Sequence, residues 1–176
     1  MKSPFDILVE YERRSLAHAV MLPEQAVSPD LWRGVAYRVG QHTLVSGFDE
    51  VTEIVPLPPV TPVPGAQPWL LGIGHLRGDL FPVVDLKCFL EGGVTPLQEG
   101  QRVLVVRQPG GQVALAIDEL YGQRSFRAEQ AVEPGTLAEG RYGYFVQRAF
   151  RDQDRDWGVF TLELLPRTPE FLQAAT

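Results

Sequence analysis

The chain has 176 residues, with 16 Lys and Arg against 22 Asp and Glu, a net charge of −6 and a pI near 5.1. That length suits one domain or two small lobes sharing a core, and the acid excess excludes the overall basic field that draws nucleic acid or an anionic membrane surface. A single cysteine, Cys88, excludes an intrachain disulfide and a Cys-rich zinc site. No apolar run approaches the roughly 20 residues of a membrane span, and no secretory signal opens the chain, so a soluble cytoplasmic protein is expected.

Residues 4–20 are predicted to form a helix. Phe5, Leu8, Val9, Leu16 and Val20 recur at helical spacing, Asp6, Glu10, Arg13 and Arg14 lie largely opposite, and Ser3 and Pro4 are placed to start it. Leu22 to Asp30 reads as a linker, which makes residues 1–30 an appendage to a domain over 31–176. From Trp32 the period changes to two. Val35, Tyr37 and Val39 alternate with Ala36, Arg38 and Gly40, a Gly40-Gln41-His42 turn follows, and Thr43 to Phe48 completes a hairpin. Asp49 to Val55 fits a helical turn or a strand equally well. Pro56 to Pro68 holds six prolines in thirteen residues and reads as an extended connection. Leu80 to Leu86 reads as a strand carrying Pro82, and Asp85 to Leu90 as a short helix stopped by Gly92-Gly93.

The second half continues in the same style. Val103 to Arg107 and Val113 to Ile117 flank a Gln108-Pro109-Gly110-Gly111 turn. Tyr144 to Phe150 and Trp157 to Leu162 are expected to pair across a charged Arg151 to Asp156 loop, and Thr168-Pro169-Glu170 starts a last short helix. Pro and Gly total 32 residues, about 18% against roughly 12% on average, and they punctuate the chain about every ten residues. Short strands at that spacing argue for small barrels and against alternating β/α units.

Several segments invite a chemical reading. Gly72-Ile73-Gly74-His75-Leu76-Arg77-Gly78 has GxGxxxG spacing, one residue longer than the dinucleotide fingerprint. Pro68 and Trp69 precede it and a strand follows it, so the helix N-terminus that a pyrophosphate needs is missing. The glycines are better read as tight turns and close backbone approach. Cys88 with His75 and Asp85 could be drawn as a nucleophile set, but Cys88 sits in an apolar stretch and reads as a small buried hydrophobe. Asp85 is better read as accepting hydrogen bonds from nearby backbone or from Arg77. His18, His42 and His75 are too scattered for a metal site. A single-strand nucleic-acid face would want Lys and Arg around its aromatics, and Lys is nearly absent. Trp69, Leu70 and Leu71 are equally compatible with a core position and an exposed apolar edge. Arg77 stands out: beside Gly78 its planar fork can reach a partner's carboxylate or carbonyls, or pair internally with Asp79, Asp85 or Glu53.

Asp49 to Ile54, the Pro-rich stretch, Leu71 to Gly78 and Phe81 to Leu86, in that order, resemble the CheW-like family. The family's Val-x-Glu-Ile, apolar-Gly-Val-x-Asn-Leu-Arg-Gly and Pro-Val-x-Asp-Leu segments find counterparts here, with His75 in place of the usual Asn. Val103 to Val106 and Val113 to Asp118 are similar to the hairpin that follows, and the match covers about residues 33 to 165. The long N-terminal extension and Pro169-Glu170-Phe171-Leu172 are similar to the PilI type, the branch serving the chemosensory system of type IV pili. The resemblance implies a mainly β fold of two small five-stranded barrel-like lobes, no catalysis and no cofactor or metal. It implies a link between a methyl-accepting chemoreceptor and a CheA-type histidine kinase, with recruitment to membrane-bound receptor arrays. Carried over by position, it marks Val51, Glu53, Gly72, Arg77 and Gly78 as protein-binding residues.

Overall fold

The computed structural model describes residues 31–93 and 96–174; the helix expected over residues 4–20 and its linker lie outside the described residues. β1 (Leu31–Val39) and β2 (His42–Gly47) form the expected hairpin, with Val35 opposite Ser46 and Val39 opposite His42. The ambiguous segment becomes β3 (Val51–Pro56). The Pro-rich connection holds only a two-residue strand, β4 (Val60–Thr61). β5 (Leu70–Leu76) and β6 (Asp79–Asp85) follow as a second hairpin.

The chain then turns into α1 (Leu86–Glu91). Asp85 caps this helix by accepting a hydrogen bond from the Cys88 amide at 3.0 Å, and Gly92, at φ 74°, ends it. β7 (Arg102–Gln108), β8 (Gly111–Ala116) and β9 (Glu119–Arg127) come next, then a two-residue β10 (Ala131–Val132). α2 (Tyr142–Phe145) is a single turn; β11 (Val146–Asp152) and β12 (Arg155–Phe160) form the last hairpin, and α3 (Pro169–Leu172) is the short C-terminal helix.

Three local expectations need correction. Tyr144 and Phe145 are helical, because the Phe145 ring stacks on Phe160 at 4.9 Å between centroids and the strand starts only at Val146. The charged Arg151 to Asp156 stretch is mostly strand: Arg151 and Asp156 are cross-strand partners joined by two hydrogen bonds of 2.6 and 2.8 Å, leaving a two-residue turn at Gln153-Asp154. Of the glycines between Gly72 and Gly78 that read as tight turns, Gly72 and Gly74 lie inside β5 and only Gly78 is in a turn.

The strands form two sheets, ordered β10-β11-β12-β2-β1-β9 and β3-β7-β8-β6-β5-β4. In each sheet one strand is a two-residue edge rung, β10 or β4, so five strands of ordinary length make each lobe. The chain opens the first sheet with β1 and β2, builds the second without interruption over residues 51–116, and returns to complete the first. Parallel pairing of β12 with β2 closes that return.

Alternation assigns side chains to three cores. Val103 and Val105 face the interior of the second lobe with Val55, Phe81 and Val83. Leu104 and Val106, one residue out of phase, face the core shared by the lobes with Tyr37, Leu44, Leu115 and Phe160. Both faces of β7 are covered, which explains its unbroken apolar run. Ala36, Val45, Phe126, Phe150, Trp157 and Val159 fill the first lobe.

The first sheet also carries a buried polar relay. Ser46 donates to the Phe160 carbonyl at 2.7 Å, so its single proton is committed and the Tyr37 hydroxyl donates to Ser46 Oγ at 2.7 Å. Burial pushes the Tyr37 phenol far above its ordinary range. Ser46→Ala leaves that hydroxyl and the Phe160 carbonyl without their partner, and a loss of about 1–3 kcal/mol is expected in urea denaturation, the cost of stranding buried polar groups.

Candidate functional site

The turn between β5 and β6 consists of Arg77 and Gly78, at φ 53° and 96°. Positive φ at both central residues is the geometry of the tight hairpin turn whose twist matches its strands. Glycine takes it freely, whereas arginine pays about 1–2 kcal/mol. The turn thus holds Arg77 in a strained backbone conformation that faces solvent, and its side chain is 72% exposed.

Arg77 Nη1 lies 2.8 Å from Glu53 Oε1, which settles the choice among its three internal candidates. Three strands separate β3 from β5 in the sheet order, so this contact crosses the curl of the barrel-like lobe. Bulges assist that curl: the register slips at Thr52 in β3 and at Leu71 in β5. At this exposure the ion pair is worth at most about 1 kcal/mol. Its effect is to aim the guanidinium.

The other site residues divide into surface and support. Val51 is half-buried against the shared core, and the bulge at Thr52 turns Glu53, two residues on, to the other face of β3. Gly78 has open space where a side chain would stand. Gly72 is buried, and a Cβ there would overlap the Thr61 carbonyl and stand 2.9 Å from Val60 Cγ1. The backbone that approaches Gly72 closely is β4. Leu80, which pattern reading treated only as the start of a strand, is 71% exposed one residue beyond Asp79, the residue that closes the hairpin turn. An outward leucine on a strand is the signal that could have found it.

The alternatives lose their geometry here. Gly72 and Gly74 lie within β5 and Gly78 in a hairpin turn, so this segment offers no helix N-terminus to a phosphate. Cys88 is buried in the shared core, and burial together with the Asp85 charge pushes its thiol up, away from the nucleophilic thiolate. His75 is exposed on β5. Trp69 belongs to the core, stacked on Phe171 at 5.6 Å. Among the described residues, no group of three potential ligands could hold a metal ion, and no helix is long and apolar enough to cross a membrane.

Comparison with known proteins agrees with the fold. A CheW-like domain family model matches residues 33–169. Protein PilI of Pseudomonas aeruginosa is 31% identical over 175 residues, covering 99% of this chain and 98% of that one. Chemotaxis protein CheW of Rhizobium meliloti is 38% identical over 56 residues, 32% of this chain and 36% of that one. The crystal structure of scaffolding protein TtCheW from Thermoanaerobacter tengcongensis superimposes with a TM-score of 0.68 at 20% identity, covering 78% of this chain and 94% of that one, a likeness of fold. With a family match spanning both sheets and a relative aligned nearly end to end, the chain belongs to the CheW-like domain family.

Proposed function

We propose that this protein is a non-enzymatic adaptor that couples a methyl-accepting chemoreceptor to a CheA-type histidine kinase, in a chemosensory pathway controlling type IV pili and twitching motility. Family membership supports the adaptor role, and near full-length similarity to PilI supports the pilus pathway. Its work is done in the cytoplasm at membrane-bound receptor arrays. The observation that carries the reading is the Arg77 hairpin: a strained turn, an exposed guanidinium aimed by Glu53, and an exposed Leu80 beside it. An arginine and an apolar side chain on a rigid scaffold are what a docking surface needs. Val51, Glu53 and Gly78 complete that surface, and Gly72 sets the shape of the strand beneath it.

A pull-down from the source cell followed by calorimetry tests this. Wild-type protein should capture the kinase and the receptor. Arg77→Glu should weaken at least one of them by about 2 kcal/mol or more, and Leu80→Ser by more than about 1 kcal/mol, both with unchanged circular dichroism. Wild-type affinity for both partners in both variants would sink the proposal.

A further inference from the structure

We propose that the C-terminal helix is a strap that opens on its own, by a swing at Thr168, and gates a cavity and the protein's one thiol. The strap and its cavity share no residue with the Arg77 hairpin, so this device stands or falls apart from the adaptor role.

The joint is built into the backbone. Residues 162–167 form a 3₁₀ segment anchored by buried Leu162 and Leu165. Thr168, at φ −86° and ψ 121°, is extended between that segment and α3. Its amide donates back to the Leu165 carbonyl at 3.1 Å, and its own carbonyl accepts from the Phe171 amide, also at 3.1 Å. Rotation about the Thr168 Cα–C bond carries that carbonyl along with α3 and so breaks neither bond. Pro169 follows with its φ fixed by the ring, and α3 therefore swings as one stiff piece.

The fastenings beyond the joint are light. Phe171 is the main one, 8% exposed, stacked on Trp69 at 5.6 Å and edge-on to Phe89 at 5.4 Å. The Gln67 amide donates to the Ala174 carbonyl at 2.9 Å, and Ala174 packs on the shared core. Glu170 pairs with Arg141, but both side chains are largely exposed, so the pair is weak and is screened by salt. Arg141 stays behind when the strap leaves, because it also donates to the Phe89 carbonyl at 2.6 Å. Leu172 is 69% exposed and buries little. A short terminal element fastened by a ring, a backbone bond and an exposed ion pair opens more cheaply than the whole protein unfolds.

Beside the strap lies a cavity of about 350 Å³. Glu170 and Gln173 line it together with Arg141, Trp69 and Cys88. With the strap seated, Cys88 is buried in the shared core. Swinging α3 away removes the Glu170 and Gln173 wall, bares the Trp69 and Phe89 rings, and opens a path to the Cys88 thiol.

The chain holds a single cysteine, so a thiol reagent such as dithionitrobenzoate reads this opening in the intact protein. In urea below the unfolding transition, labelling should show a urea slope well under that of global unfolding. The Gln67 amide should exchange through the same opening equilibrium. Phe171→Ala should speed labelling about tenfold or more while keeping the shallow slope. Glu170→Gln should speed it about twofold at low salt, a difference that should vanish at about 1 M salt. Labelling with the full global slope, a rate that Phe171→Ala leaves unchanged, or a Gln67 amide that stays protected while Cys88 reacts would each overturn the proposal.

Discussion

Alanine at Phe89 is expected to cost this protein about 3–5 kcal/mol, the range for deleting a buried aromatic side chain. Phe89 is 1% exposed and sits on α1, where three rings converge on it. Trp69 meets it edge-on at 5.3 Å, Phe171 edge-on at 5.4 Å, and Phe145 at 6.2 Å. Arg141 adds a lid: its guanidinium lies 5.2 Å from the Phe89 ring, donates to the Phe89 carbonyl at 2.6 Å, and pairs with Glu170. The four aromatic residues come from α1, α2, α3 and the segment before β5, so none can close the gap without dragging its element along. The loss is a large share of a total that is typically about 5–15 kcal/mol. Urea denaturation with an unchanged slope checks it, and limited proteolysis should cut the C-terminal segment first. Phe48→Ala is the contrast: that ring is 56% exposed, and a change within about 0.5 kcal/mol is expected. A loss below 1 kcal/mol at Phe89 would mean that the cluster is loosely packed.

The second large effect is expected at Gly72. Valine there would add two costs. The backbone stands at φ 141°, which L side chains rarely adopt, at about 1–3 kcal/mol. The side chain would overlap the Thr61 carbonyl and Val60, at about 1–3 kcal/mol more. The cheapest escape is to part β4 from β5, because only two residue pairs hold them together. Hydrogen exchange should therefore speed up at Val60 to Thr61 and at the β5 residues opposite, and the melting temperature should fall. Gly78→Ala separates the two costs. Its φ of 96° carries the backbone penalty, but nothing stands within 4 Å of the new methyl group. Its expected loss is the smaller of the two, and equal losses would show that steric overlap at Gly72 is relieved at no cost.

Those glycines show how far local pattern reaches. The β1–β2 and β7–β8 hairpins were legible because aliphatic residues alternate across a turn that glycine permits. Asp85 was legible as a backbone acceptor and the following helix by its apolar run and its glycine stop. β5 was not read as a strand, since Gly72 and Gly74 contribute no side chains to the pattern and the bulge at Leu71 shifts its phase. β9 was missed because, as an edge strand with both faces partly exposed, it shows little alternation. In the candidate site, Arg77 was singled out from its own neighbours, and Glu53 was among its three possible partners. The buried setting of Gly72 and the exposure of Leu80 were not legible, because each depends on what the rest of the sheet covers.

The sequence by itself determined the class of fold, the hairpins, the turn that displays Arg77 and the family. The family rests on the order of short segments along the chain; the others rest on neighbours within about ten residues, where backbone preference and side-chain period act directly. Tertiary structure alone decided how the strands are shared between the lobes. β1 and β2 belong with β9, β11 and β12, and the whole of residues 51–116 forms the other sheet. That division depends on the parallel pairing of Leu44 and Val45 with Gly158 and Val159, more than a hundred residues away. It also depends on the shared core, in which Tyr37, Leu104 and Phe160 meet. No local period encodes such a partner: many apolar strands could cover the same face, and the choice falls to whichever arrangement buries all of them at once.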